Sequence, residues 1–219
     1  MDDLARRILV IDAHLIVLDK PAGLAVHPGP RTPYSLEDRL GELREGFVRV
    51  PQPAHRLDRD TSGCLVLARH PRALKRMTQL FEAGRVGKTY WAMVEGVPAG
   101  SSGVVDAPLF KISSAEEGWR MIVDPRGKRA VTRWQVLDRG DTSLAGGDSR
   151  SLVAFMPETG RTHQIRVHAA LLGCPIAGDP VYGEARGPML LHAREIMVPY
   201  IDGKVPVTAV APLPSHWPL

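Results

Sequence analysis

The chain reads as an α+β protein on a mixed, largely antiparallel sheet. Two observations lead there. Strand-like runs outnumber helical patterns along the 219 residues, and most of them lack the spacing of β-α-β units that a parallel sheet requires.

Residues 8–12 and 15–19, separated by Ala13-His14, form a hairpin, and Lys20-Pro21-Ala22-Gly23 turns the chain after it. A loop with His27 and several prolines follows. Ser35 caps a helix running to about residue 45, with Glu37 and Asp38 in the first turn, where the macrodipole favours acids. The apolar run 64–68 makes residues 64–69 a strand. Pro71 then opens a helix to about residue 83, which Gly84 stops, with Leu74, Met77 and Phe81 as its apolar stripe and Arg72, Lys75, Arg76 and Gln79 outside it. Alternation over 88–96 makes a strand with Lys88, Tyr90, Ala92 and Val94 on one face. Further strands are expected at 119–123, 129–137 and 152–156, and a surface loop at 138–150. A last helix spans 162–172, with Ile165, Ala169 and Leu172 inward and Gly173 closing it. No internal repeat or linker divides the chain, so residues 1–219 are expected to be one domain.

Composition narrows the class. An apolar content of 44% supports a packed core. No apolar run approaches the roughly 20 residues of a membrane-spanning helix, and the acidic start Met1-Asp2-Asp3 is unlike an export signal. A cytoplasmic protein is therefore expected, with Cys64 and Cys174 as reduced, buried side chains. The net charge of +4 is unevenly spread: residues 55–90 hold eight Lys/Arg against three acids, +5, which leaves the remainder at −1. Such a segment is either a solvated face or the footprint of a polyanion, nucleic acid being the obvious one.

Two stretches could carry chemistry. In His55-Arg56-Leu57-Asp58-Arg59-Asp60-Thr61-Ser62-Gly63 a carboxylate stands between arginines and runs directly into a buried strand. Asp58 is there either a rigid, ionised nucleophile or base, or the partner in a salt bridge that pins the loop. In Thr159-Gly160-Arg161-Thr162-His163-Gln164-Ile165-Arg166-Val167-His168, three potentially positive groups crowd a helix start, where cations are unfavourable. A protein carboxylate or a phosphate should lie near them. His163 and His168, five residues apart, do not share a helix face as a zinc pair would. Tyr90 is either core packing or a platform for an unpaired base.

Taken together and in order, these segments resemble the RluA-type pseudouridine synthases, which isomerise particular uridines in ribosomal or transfer RNA. The resemblance rests on Lys20-Pro21-Ala22-Gly23, His55-Arg56-Leu57-Asp58 with Thr61-Ser62-Gly63, Lys88-Thr89-Tyr90, Gly127-Lys128 and the stretch 159–168. Gly178-Asp179-Pro180-Val181-Tyr182-Gly183, Leu191-His192-Ala193 and Ala211-Pro212-Leu213-Pro214 extend it to about residue 214. It implies a pseudouridine synthase catalytic fold, a mixed sheet with a central cleft flanked by helices and loops, in a short member that lacks an S4-type RNA-binding domain. It also implies Asp58 as the catalytic aspartate, Arg166 as its ion-pair partner, Tyr90 stacking on the target base and Arg56 helping to hold that nucleotide out of the RNA. Arg161, His163 and Gln164 shape the site or meet the RNA backbone. No cofactor or metal is implied, and the partner is ribosomal RNA, transfer RNA or both; nothing in the sequence demands more than a monomer. Two other readings use the same residues: a non-catalytic RNA-binding module or chaperone on this fold, and a metal-dependent phosphoesterase built on His55, Asp58 and Asp60.

Overall fold

The computed structural model describes residues 3–29, 32–114, 118–140 and 149–217. In chain order its strands are β1 (Ile8–Ile11), β2 (Leu15–Lys20), β3 (Gln52–Pro53), β4 (Ser62–Ala68), β5 (Gly87–Glu95) and β6 (Ser102–Asp106). They continue with β7 (Leu109–Ser114), β8 (Gly118–Val123), β9 (Val131–Asp138), β10 (Arg150–Pro157), β11 (Leu191–Val198) and β12 (Val207–Val210). Among the described residues two α-helices, α1 (Pro71–Glu82) and α2 (Gln164–Leu171), interrupt them. The chain forms two compact units, one of Met1–Lys88 with His192–Leu219 and one of Thr89–Leu191.

In the first unit the hairpin β1–β2 forms as expected, and β2 pairs antiparallel with β4, from Leu15↔Ala68 to Lys20↔Gly63. On its other side β4 runs parallel to β11 through His192↔Ser62 and Ala193↔Gly63, and β12 continues antiparallel from β11. Every residue of β2 and β4 is buried. That explains why the sequence there is a continuous apolar run without alternation, since both faces of the strand are covered. Helix α1 starts as expected: Pro71 occupies its first turn, and Nδ1 of the His70 side chain caps it by accepting the Ala73 amide at 3.1 Å. Its buried stripe is Ala73, Met77 and Leu80, flanked by half-buried Leu74 and Phe81. The expected stripe of Leu74, Met77 and Phe81 is thus rotated by about one residue, with the small Ala73 fully buried in place of Leu74.

The expected helix from Ser35 is instead a 3-10 turn, Glu37–Leu43. Ser35 does not cap an amide; its backbone N–H and its hydroxyl both donate to the Asp38 carboxylate, at 2.8 and 3.1 Å. Gly41 weakens an α-helix here, and Leu40 and Leu43, three residues apart and both buried, fall on one face of a three-residue turn.

In the second unit β5, β10, β9 and β6 follow one another as antiparallel neighbours. Ala92, Val94, Trp134, Val153, Phe155, Ile165 and Ala169 belong to its main core, against which half-buried Tyr90 packs. A separate two-stranded ladder, β7–β8, encloses a smaller cluster of Leu109, Met121, Ala130 and Val167 with Tyr182. Helix α2 lies between the two clusters, with Ile165 and Ala169 in one and Val167 in the other. All of Gln164–Ala169 is buried as a result. Leu172, just past the helix, is half-buried and packs against the same core as Ile165 and Ala169, as expected, and Gly173 (φ 75°) turns the chain. The expected loop 138–150 falls mostly outside the described residues. Both cysteines are buried and free, and burial pushes the Cys64 thiol up to about 12.

The close approach of β4 to β11 requires a glycine. Gly63 has φ +101°, and a Cβ there would stand 2.3 Å from the Ala193 carbonyl oxygen. Gly63→Ala should cost about 3 kcal/mol by backbone strain and overpacking. Gly41→Ala, where a Cβ meets nothing within 4 Å, should change stability by less than about 1 kcal/mol. Urea unfolding of the two variants checks the contrast, and equal midpoints would refute it.

Candidate active site

The Asp58 loop is held from beneath by a buried lysine. Lys20, at the end of β2, is 0% exposed. Its Nζ donates to the carbonyls of Pro21 and Leu24 at 2.8 Å and of Arg59 at 3.0 Å. Three acceptors use all three ammonium hydrogens, which is the geometry of the charged form. The Gly23 amide donates to the same Arg59 carbonyl at 2.9 Å. The turn Lys20-Pro21-Ala22-Gly23 therefore grips the residue next to Asp58 twice. Burial pulls the Lys20 pKa down to about 7, against the charges of Asp60, Asp58 and Asp19.

The rest of the loop is fixed just as locally. Leu57, Thr61 and Ser62 are buried, and the Thr61 amide closes a turn onto the Asp58 carbonyl at 3.1 Å. His192 Nε2–H faces the Ala211 carbonyl at 3.4 Å, so Nδ1 is the acceptor for the Ser62 hydroxyl at 2.8 Å. Burial holds His192 down at about 4, and this neutral tautomer persists at physiological pH. His55 Nε2 accepts the Val66 amide at 3.0 Å, and its ring stacks on Phe81 at 4.4 Å. Burial, then the Lys88 charge, push His55 down to about 3.

These contacts bear on the phosphoesterase reading, because the His55 nitrogen that faces Val66 is already used and Asp60 is bound by Arg59 at 3.0 and 3.1 Å. They also bear on the expectation that flanking arginines hold Asp58. Arg59 is engaged with Asp60 and Arg56 is exposed, whereas Lys20 is a cation whose charge Asp58 feels within the same unit. Asp58 itself is half-buried.

In the second unit the stretch 159–168 gathers the other candidates at the start of α2. His163 occupies the N-cap in a left-handed conformation, φ 54°, rare for a residue with a Cβ. Its ring stacks on Trp119 at 4.8 Å, and its Nδ1 is bonded to the Tyr182 hydroxyl at 2.9 Å. Gln164 is 4% exposed: its Oε1 accepts from Thr159 Oγ1 and the Arg161 amide, and its Nε2 donates to Val131 O and Thr132 Oγ1. The Gln164 amide is thus used internally, between the start of α2 and β9. Arg161 is exposed, its Nε on the Arg129 carbonyl at 3.0 Å.

The carboxylate expected near this cluster is Asp179. It takes the buried Arg166 guanidinium through Nε and Nη2, both at 2.7 Å. Burial raises the Asp179 pKa, but Arg166 and the amides of Val181 and Tyr182 outweigh it and leave the carboxyl below its ordinary value. Sequence reasoning gave no role to Lys20, Ser62, Asp179, Tyr182 or His192. A lysine ending an apolar strand and an aspartate between Gly178 and Pro180 were the available signals.

A family model described as RNA pseudouridylate synthase matches residues 14–171. The chain belongs to this family. A relative described as an uncharacterized RNA pseudouridine synthase of Zymomonas mobilis is 51% identical over 220 residues, 98% of this chain and 97% of the relative. Ribosomal large subunit pseudouridine synthase C of Vibrio cholerae is 35% identical over 98% of this chain. This chain spans 68% of that protein's length, and 62% and 66% of two other relatives. Among solved structures, human RNA pseudouridylate synthase domain containing 4 superposes with a TM-score of 0.77 at 30% identity, covering 97% of this chain and 90% of the other. The family and the α+β pseudouridine synthase fold expected from the motifs are thus both found. Among the described residues no helix is long and apolar enough to cross a membrane.

The Lys20 clamp has a testable pH signature. The folded pKa lies near 7 and an unfolded lysine near ~10.4, so between these values unfolding takes up a proton. Wild type should gain stability relative to Lys20→Met as pH rises from 7 toward 10, with a flat difference below 7. Urea unfolding of both proteins at pH 6, 8 and 9.5 measures this, and parallel curves would rule it out.

Proposed function

We propose that this pseudouridine synthase isomerises specific uridines in ribosomal RNA, transfer RNA or both, as a cytoplasmic monomer with Asp58 as its catalytic carboxylate. The observation that carries the reading is the Asp58 loop: a half-buried carboxylate on a backbone gripped by the Lys20 ammonium and the Gly23 amide, ahead of a fully buried strand. Such a carboxylate approaches a sugar or base with little reorganisation. The name of the Vibrio cholerae relative supports ribosomal RNA as substrate, and so does the positive charge of residues 55–90.

The reaction detaches uracil from C1′ of its ribose, turns it and rejoins it through C5, with no change of oxidation state. Asp58 serves this by adding to C1′, by adding to C6, or by taking a proton from C2′. The target must leave the RNA stack first, at a cost of a few kcal/mol. Exposed Arg56 suits the space the base vacates, and Tyr90 offers a ring for it to stack on. Arg166 is assigned the ionic partnership with Asp58, and Arg161 a place near the RNA backbone.

Asp58→Asn should abolish turnover while fold and most RNA affinity remain, since it removes charge but little volume. Pseudouridine mapping of ribosomal and transfer RNA checks this in cells lacking the protein and rescued with wild type or the variant. Sites restored by wild type alone support the assignment. Substantial activity in the variant overturns it, and a wild type that binds RNA without turnover moves the protein to the non-catalytic class. Tyr90→Phe should keep most of the activity and Tyr90→Ala should lose at least tenfold in kcat/KM; equal rates for the two would make Tyr90 a bystander.

A further inference from the structure

Asp179 sits on a turn that admits only glycine before it. Gly178 has φ +73°, and a Cβ there would lie 2.2 Å from the Pro188 carbonyl oxygen. The Asp179 carboxylate is fixed by its own backbone: Oδ1 accepts the amides of Val181 at 2.8 Å and Tyr182 at 3.2 Å. The carboxylate cannot rotate without losing these bonds, so the guanidinium bound to it is fixed as well. The Tyr182 ring lies 5.2 Å from the Arg166 guanidinium carbon, and the Tyr182 hydroxyl accepts the Met121 amide at 2.9 Å besides its bond to His163. Loop 178–183 thus holds Arg166 through Asp179 and Tyr182, and β8 and the left-handed start of α2 hold Tyr182 in turn.

Stability alone is a poor reason for such an arrangement. Arg166 is 6% and Asp179 0% exposed, and apolar residues of similar volume often replace a buried ion pair at no cost or with a gain. Orientation is what the pair supplies. Guanidinium is a planar fork, and a carboxylate on its Nε–Nη2 edge leaves the opposite edge, which bears Nη1, directed away from that carboxylate.

We infer that Asp179 is a positioning residue for the isomerisation, setting the direction in which Arg166 presents its remaining guanidinium edge to the reacting groups. This rests on the role proposed above for Arg166. The two claims separate in a double-mutant cycle measured as kcat and KM on the substrate RNA, with Arg166→Met, Asp179→Asn and the double variant. Asparagine keeps an oxygen for the Val181 and Tyr182 amides but loses the charge and the two-pronged grip. Asp179→Asn should lower kcat at least tenfold with KM within threefold of wild type. The double variant should be no slower than Arg166→Met, because a residue that acts through Arg166 has nothing left to position. An effect of Asp179 that is independent of Arg166 would instead multiply the two losses, and that result overturns the inference. So does folded Asp179→Asn at wild-type kcat while Arg166→Met is slow, an outcome that leaves the proposed function standing. Wild-type kcat in Arg166→Met ends both claims. If Asp179→Asn fails to fold, the double variant, in which neither charge is buried alone, still decides by comparison with Arg166→Met.

Discussion

Three hydrogen bonds from a buried ammonium govern how the Asp58 loop is held. Lys20 ends a strand whose residues are all buried, and three backbone carbonyls accept its ammonium hydrogens there. An uncompensated charge there would be very costly, so the Pro21–Leu24 turn and the Arg59 carbonyl must close around it. The same closure fixes the backbone beside Asp58. The desolvation that depresses the lysine and the acids that oppose it, Asp60, Asp58 and Asp19, belong to one electrostatic arrangement. The loop's carboxylates are part of what keeps a cation tolerable in the interior.

Behind the loop, backbone proximity takes over from charge. The parallel contact of β4 with β11 brings Gly63 against Ala193, and the adjacent pair joins Ser62 to His192 through a hydrogen bond between neutral groups. A side chain at 63 would push the strands apart and break that bond. The second unit is built differently. Residues Gln164–Ala169 of its short α2 are buried because two apolar clusters share the helix, and its first turn is set by side chains: the Gln164 amide, the His163–Tyr182 bond and the Arg166–Asp179 pair.

Much of the outline was legible beforehand. Alternation or apolar runs revealed β1, β2, β4, β5, β8, β9 and β10, and proline and glycine placed both ends of α1, because these signals are local. Strands β3, β6, β7, β11 and β12 were not anticipated. Gln52–Pro53 is two residues long, and Ser102–Asp106, with a glycine and two polar residues, lacks the apolar density of a strand. Such segments are strands because a partner offers hydrogen bonds, as β9 does for β6. The stripe of α1 was misjudged because the spacing of bulky residues pointed to Leu74 and Phe81, whereas the buried face includes the small Ala73 and Leu80.

By itself the sequence determined the family, the α+β class and the residues around which chemistry could be organised, because the motifs depend on residue identity and spacing that any reader of the chain can see. Tertiary structure alone decided who holds whom. Arg59 lies beside Asp58 in sequence yet binds Asp60, while Lys20, thirty-eight positions away from Asp58 along the chain, supports the loop. Asp179 reaches Arg166 across thirteen positions, and His192 reaches Ser62 across 130. Hydrogen-bond partnership is a property of distance in space, and in this fold the partners that matter most are brought together by strand pairing and turns that no local pattern specifies.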